Sequence, residues 1–178
     1  PTTFAQSKSI VMDKANLFSN EEIAQLENLM TPIEEDTKAT LMIASSYDLS
    51  QDDPRYNVDR TLGDYVGNDE NGVLLFFDMT GRQVYISTSG NMIHYFTDSR
   101  IDSSLDDIFA AGLSEGNYYA ASETFIKEVE NNFKAGIPSG HYTIDEETGK
   151  VTMYKSITPF EAFIAFLVAF IAAVAVFL

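Results

Sequence analysis

The chain has 178 residues, of which 45% are hydrophobic, so it is long enough to bury one substantial core. Its 27 acidic residues outnumber its 11 basic residues, and the net charge of −16 excludes nucleic acid as an expected partner because two polyanions repel each other. The absence of cysteine excludes disulfides, thiolate catalysis and cysteine-ligated metal sites. Because the chain is strongly negative, the expected binding partners are cations or a protein with a basic surface.

The first strong helix signal lies within residues 19–35. Ser19 and Glu22 have the spacing of a capping box, in which each side chain binds the backbone N–H of the other residue. Apolar and acidic residues then alternate at helical spacing, which predicts an amphipathic helix. Its inward face comprises Ile23, Leu26, Met30 and Ile33, and its water-facing acids are Glu21, Glu27, Glu34 and Glu35.

The middle of the chain predicts strands that are buried on both faces. Residues 41–44 form an unbroken apolar run, as in a strand covered by helices on both sides. A helix follows, with Asp53 as its cap and Pro54 at its first position. Residues 72–78 and 82–90 then predict two strands joined as a hairpin through MTGR.

Two more helices complete the pattern. The first is capped by Thr97 or Asp98, and the second stops at Gly136. Helix and strand patterns alternate, so the predicted class is α/β with a small mixed central sheet flanked by helices. The inward faces of the two helices are predicted to be Ile101, Leu105, Ile108 and Phe109 in the first, and Ala121, Phe125, Val129 and Phe133 in the second.

The acidic turn NDENG in front of residues 72–78 has two interpretations. Asp69 and Asn71, followed by Gly72, resemble the front of a calcium loop, but the apolar run VLLFF replaces the remaining ligands of an EF-hand. The alternative is a turn in which Asp, Asn and Gly supply left-handed conformations and local caps.

Hairpin pairing would favour the first interpretation. It would bring Asn71 near Thr88, Ser89 and the following Asp98 at one edge of the sheet. Oxygen ligands gathered in this way suit calcium or magnesium.

The sequence offers little for nucleophilic catalysis. His94 and His141 are its only histidines, and neither lies in a serine-elbow motif. The phosphate-binding motifs GxxxxGK[ST] and GxGxxG are absent. Enzymatic activity is therefore less expected than a binding role.

The end of the chain predicts a transmembrane helix. Residues 160–178 carry one charge, Glu161, and at a rise of ~1.5 Å per residue they cover about 28 Å, close to the hydrocarbon thickness of a bilayer. A buried core helix is the alternative, but the segment has no polar stripe. No Lys or Arg follows the span, so we expect either a tail anchor or a natural chain that continues. The start has no export-signal pattern, so any such signal would already have been removed.

Five sequence blocks, in order, resemble the TPM domain family over residues 10–135. The order of the blocks is more specific than any single block, and the resemblance implies a compact α/β sandwich with a small central sheet. The blocks are VMDKANLFSNEEIAQLENLM, the apolar strand ending in DL, ENGVLLFFDMTGRQVYISTSG, FTDSRIDSSLDDI and GNYYAASETFIKEV.

The resemblance also implies a range of functions. Members include a thylakoid lumen protein linked to photosystem II repair, an auxiliary subunit of a nematode acetylcholine receptor, and bacterial exported proteins with membrane anchors. Acid phosphatase activity and calcium binding have been attributed to some of them. The hairpin signal around EETGK, followed by the span, is similar to the bacterial membrane-anchored subgroup.

The family's polar positions can be placed on this sequence. Its opening acid corresponds to Asp13, its Asp-Asn-Gly to Glu70, Asn71 and Gly72, its hairpin arginine to Arg82, and its Thr-Asp to Thr97 and Asp98. Asp69 can substitute for the missing Asp at position 70. Ile93 stands where many members have a glutamate, which weakens both a metal site and a phosphatase.

These observations predict four segments and one function. The segments are an extension (1–9), a TPM-like domain (10–136), a membrane-proximal β-hairpin (137–156) and a transmembrane helix (157–178). The expected function is a non-catalytic accessory, assembly or modulatory subunit of a membrane-protein complex, with its domain on the extracytoplasmic side. A divalent-metal-dependent acid phosphatase is the alternative. A weak Ca²⁺ or Mg²⁺ site is predicted at Asp13, Asp69, Asn71 and Asp98.

Overall fold

The computed structural model describes residues 8–67, 70–138, 142–145 and 151–153. The predicted membrane span and Asp69 lie outside these ranges, and so does His141. Among the residues that are described, no helix combines the length and the apolar character needed to cross a bilayer.

A four-stranded sheet forms the centre of the domain. Strands β1 (Ile10–Asp13), β2 (Thr40–Ser46), β3 (Gly72–Asp78) and β4 (Gln83–Ser89) lie in this order across the sheet. The first three strands are parallel, and β4 pairs antiparallel to β3 through the predicted hairpin. The prediction of a small mixed sheet is therefore confirmed.

Five α-helices flank this sheet within the part of the chain that the structure describes. Two of the elements, the short helix α3 and strand β1, were not predicted from the residue pattern, because each is only four residues long. The helices are α1 (Asn20–Thr37), α2 (Pro54–Val66), α3 (Met92–Tyr95), α4 (Asp98–Ala110) and α5 (Tyr118–Lys134), with a 3-10 helix at Leu113–Glu115.

The predicted helix starts are well reproduced. The N–H of Glu22 donates to Ser19 Oγ at 3.2 Å, and the N–H of Ser19 donates to Glu22 Oε2 at 2.8 Å, which completes the capping box. Asp53 caps α2 through the N–H of Tyr56 at 3.1 Å. Thr97 precedes α4 with no capping hydrogen bond from its side chain.

The sheet separates two apolar layers. Side chains alternate between the faces of β2 and β3, so Leu41 and Ile43 pack in the larger core with α1 and α5, and Met42 packs in a smaller core with α2. The smaller core is completed by Val58 and Leu62 of α2. The prediction that residues 41–44 are buried on both faces is confirmed.

Two helix-face predictions are wrong. Phe109 was expected to point inward, yet it is 46% exposed, because its neighbour Ile108 occupies the inward position of α4. Glu27 and Glu34 were expected to face water, but they accept hydrogen bonds from the backbone of the edge strand and the residues before it. An edge strand has unpaired N–H groups, and these carboxylates supply acceptors for them.

A two-stranded antiparallel sheet occupies the predicted hairpin segment. Strand β5 (Tyr142–Ile144) pairs with β6 (Val151–Met153). Val151 is buried against the main core, and its N–H donates to Asn91 Oδ1 at 3.0 Å. The hairpin is therefore docked on the domain through β6.

Candidate functional site

The register of the parallel strands decides which of the predicted site residues can meet. Asp13 pairs with Ser45, which in turn pairs with Phe77, at the carboxyl end of the sheet. Asn71 directly precedes β3, at the amino end. The level of Asn71 lies six residues before that of Phe77, or about 20 Å away at roughly 3.3 Å per residue. The predicted convergence of Asp13 with Asn71 therefore does not occur.

The side chain of Asp13 stabilises a turn through hydrogen bonds. Its carboxylate accepts hydrogen bonds from the N–H groups of Leu17 at 3.0 Å and Phe18 at 2.9 Å, and from the hydroxyl of Ser45. The Ser45 oxygen in turn accepts from the N–H of Ala15 at 3.0 Å. This network holds the turn between β1 and α1, so Asp13 is not a free ligand or base.

Asn71 links three segments at the opposite end. Its Oδ1 accepts from the N–H of Asn91 at 2.8 Å, and its Nδ2 donates to the carbonyl of Lys38 at 3.4 Å. The adjacent Glu70 carbonyl accepts from the hydroxyl of Ser89 at 2.8 Å, so the predicted proximity of this turn to the end of β4 is confirmed.

A cation site at the remaining predicted residues, Asp69, Asn71 and Asp98, stays a prediction. Asp98 is the exposed first residue of α4, and Asp69 belongs to the part of the chain outside the described ranges. Among the described residues, no group of three or more His, Asp or Glu side chains lies close enough together to hold a metal ion.

A concave surface lies at the carboxyl ends of β2 and β3, where parallel α/β sheets commonly bind ligands. This cleft has a volume of about 730 Å³ and runs between the β3–β4 hairpin and the connection from α4 to α5. Its polar residues include Asp78, Arg82 and Glu115. Its apolar walls are formed by Tyr47, Phe77, Met79, Val84, Phe109, Leu113 and Tyr118.

Asp78 fixes the hairpin turn at one side of this cleft. It is 1% exposed, and its carboxylate accepts from the N–H groups of Thr80 and Gly81 and from Gln51 Nε2, each at 3.0 Å. A Cβ at position 81 would collide with that carboxylate, which explains the glycine. All three donors are structural, so Asp78 is not free to act as a general base.

A smaller pocket of about 330 Å³ lies at the amino end of the sheet and is lined by Lys8, Glu34, Lys38 and Asn71 among others. The hydroxyl of Tyr65 donates to the Lys8 carbonyl at 2.7 Å beside this pocket. Burial, and then the negative charges of Glu34 and Glu27, raise the pKa of Tyr65 above its ordinary value of 10.0.

Sequence reasoning missed Arg100. Its Nη1 donates to the carbonyls of Tyr95 at 2.8 Å, Asn132 at 3.2 Å and Gly136 at 2.7 Å. This arrangement ties α4 to the ends of α3 and α5, where carbonyl groups lack helical partners. Two of the acceptors lie 32 and 36 residues away in sequence, so no local signal could have revealed the contact.

Comparison with known proteins gives a consistent result. The sequence model of the TPM domain matches residues 11–132. The chain is 30% identical over 123 residues to the UPF0603 protein YdjH of Bacillus subtilis (strain 168), a match that covers 66% of this chain and 45% of that relative. The chain thus spans less than half the length of this curated relative.

Two solved structures have the same fold. The N-terminal domain of a P. gingivalis protein matches with a TM-score of 0.56 and 20% identity, covering 75% of this chain and 87% of that one. The N-terminal domain of the cg2496 protein from Corynebacterium glutamicum matches with a TM-score of 0.53 and 19% identity, covering 79% and 88%. With the family match over most of the folded region, these findings establish that the chain belongs to the TPM domain family.

Proposed function

We propose that this TPM domain is a non-catalytic accessory domain that assembles with, or modulates, a membrane-protein complex. The observation that carries the proposal is the cleft at the carboxyl end of the sheet, with its aromatic and aliphatic walls. Aromatic and methionine side chains are enriched at protein interfaces. Phe109 is 46% exposed and Tyr47 is 57% exposed at this surface, so they are available to a partner.

The carboxylates at the same end of the sheet support a binding role over hydrolysis. A general base must be able to take a proton from its substrate or from water. Asp13 and Asp78 instead accept hydrogen bonds from backbone N–H groups of adjacent turns. Both carboxylates are therefore already engaged in stabilising turns of the fold.

The proposed location is the extracytoplasmic face of a membrane, with residues 157–178 as the anchor. The apolar length of this segment supports anchoring. A membrane-anchored chain with a net charge of −16 would meet its partners beside the lipid surface, where a neighbouring membrane protein is the natural candidate.

The test compares two variants that each place a charge on an exposed apolar position. Phe109→Glu changes the cleft, whereas Leu29→Glu changes α1, where Leu29 is 42% exposed. The full chain is purified from its own membranes in mild detergent, and accompanying proteins are identified by mass spectrometry. We expect a membrane protein that accompanies the wild type and Leu29→Glu but is lost from Phe109→Glu.

A different outcome would favour the alternative. If no protein depends on Phe109, and the purified chain hydrolyses p-nitrophenyl phosphate with Ca²⁺ or Mg²⁺ in a manner abolished by Asp98→Asn, a change at an exposed candidate ligand, the accessory role would be replaced by a phosphatase.

A further inference from the structure

The β3–β4 turn holds Arg82 in an unusual backbone conformation. Its φ is 52°, in the left-handed region that glycine or asparagine occupies more easily. The turn is fixed from the other side, because the Asp78 carboxylate binds the N–H groups of Thr80 and Gly81. An exposed arginine side chain is thus carried on a rigid turn at the edge of the cleft.

Arg82 lines the cleft, whereas several other cations of the domain bind partners elsewhere. Arg60 pairs with Asp64 at 3.4 Å, Lys134 pairs with Glu130, and Arg100 is occupied by carbonyl groups. Within the described part of the chain, no carboxylate forms an ion pair with Arg82. Its guanidinium group carries five N–H donors, and the exposed side chain belongs to the lining of the cleft.

The cleft beside Arg82 can accept an apolar side chain. Its floor is rigid, because Phe77 is 1% exposed and its ring meets that of Tyr118 edge-on, with ring centroids 5.4 Å apart. Phe109 and Leu113 close the opposite side. The volume of about 730 Å³ lies within the range of roughly 300–1,000 Å³ typical of ligand sites.

We propose that this cleft binds a segment of a partner protein in which an apolar side chain adjoins a carboxylate, and that Arg82 pairs with that carboxylate. This inference rests on the proposed accessory function. Guanidinium and carboxylate form a bidentate pair with matched geometry. A phosphate would bring about two negative charges into a cleft that already contains Asp78 and Glu115, so a singly charged group fits its electrostatics better.

The probe is a phage-displayed library of random peptides, selected on the immobilised full chain in mild detergent. We expect enriched peptides to place Asp or Glu beside an aromatic or branched aliphatic residue. As free peptides they should bind Arg82→Gln about tenfold more weakly, which corresponds to about 1.4 kcal/mol. Arg82→Gly should show the same loss while keeping the fold, because glycine suits the left-handed backbone. Arg55→Gln, an exposed position on α2, is the matched charge control.

The proposal is overturned if enriched peptides lack an acidic residue, if they bind Arg82→Gly as tightly as the wild type, or if nothing is enriched. If the peptides bind independently of Arg82 while co-purification still depends on Phe109, the proposed pairing of Arg82 with a carboxylate is wrong and the accessory function is retained. Loss of that co-purification would instead remove the accessory function.

Discussion

The two ends of the central sheet use polar side chains in different ways. At the carboxyl end, Asp13 and Asp78 each gather N–H donors from an adjacent turn, and an open cleft remains beside them. At the amino end, Asn71 both accepts and donates, and it joins the segments that contain Lys38 and Asn91.

The difference follows from side-chain chemistry. An ionised carboxylate only accepts hydrogen bonds, so it stabilises a turn in which several N–H groups converge. An amide both donates and accepts, so it can bridge segments. The carboxyl end thus has fixed turns that support a recognition surface, whereas the amino end has a chain of amide contacts that continues through Asn91 to Val151 of the hairpin.

Removal of Asp78 should have the largest effect on stability. Asp78→Ala leaves the N–H groups of Thr80 and Gly81, and the amide of Gln51, without their acceptor, and we expect a loss of about 3 kcal/mol. Asp78→Asn should lose less, because its oxygen still accepts from the turn. Urea unfolding of the detergent-solubilised chain, followed by circular dichroism, gives both values.

Asp52→Ala is the matched control, because Asp52 is exposed and near the same end of the sheet. If Asp78→Ala unfolds at the same urea concentration as this control, the carboxylate does not hold the turn.

At the amino end, Arg100→Ala should lower the free energy of unfolding by about 2 kcal/mol, because three carbonyl acceptors lose a charged donor. Arg100→Lys should recover part of this loss, since an ammonium group keeps the charge without the planar geometry of guanidinium. Thermal melting beside Arg55→Ala gives the comparison. Equal melting temperatures for the two alanine variants would show that the carbonyl contacts contribute nothing.

Asn91→Ala tests whether the hairpin depends on the amide contacts. The N–H of Val151 would lose its acceptor, which we expect to raise its hydrogen-exchange rate about tenfold, for a local loss of about 1.4 kcal/mol. Mass spectrometry of peptides from β6 measures the change, and peptides from β3 serve as the internal reference. Unchanged exchange in β6 would mean that burial of Val151 holds the hairpin without Asn91.

The sequence predicts best what depends on neighbours along the chain. The capping box of Ser19 and Glu22, the start of α2 and the β3–β4 hairpin each involve residues within a few positions of one another. The alternation of helix and strand patterns was enough to predict a mixed sheet.

The candidate site was harder to predict because it depends on strand order and packing. Asp13 and Asn71 seemed able to meet only while the place of β1 in the sheet was unknown; its parallel pairing with β2 separates them. Helical periodicity placed Phe109 inside, but Ile108 is the residue buried in the main core, and Phe109 borders the cleft. The spacing of residues along the chain predicts neither the separation of Asp13 from Asn71 nor the exposure of Phe109.

The smallest expected effect concerns Tyr95, which packs on Phe133 with ring centroids 4.9 Å apart. Burial, and then the neighbouring phenol of Tyr142, raise the pKa of Tyr95 above its ordinary value of 10.0. The unfolded state therefore releases this proton at lower pH than the folded state. The resulting stability is complete below about pH 10 and is lost as the pH rises through the folded pKa.

Tyr95→Phe removes this titration, so the wild type should lose stability more steeply than the variant above pH 10, while the two remain parallel below it. Urea unfolding at a series of alkaline pH values measures how steeply the free energy of unfolding falls with pH in each protein.

The Asn91→Ala variant tests whether the hairpin contributes to this pKa. If the substitution frees β6 and its partner strand β5, Tyr142 moves away from Tyr95, and the pKa of Tyr95 should fall towards its ordinary value. Ultraviolet titration of tyrosinate, with Tyr95→Phe as the reference, measures the pKa of Tyr95 in the Asn91→Ala variant. A Tyr95 titration that Asn91→Ala leaves unaltered would show that the amide contacts at the amino end do not reach β5.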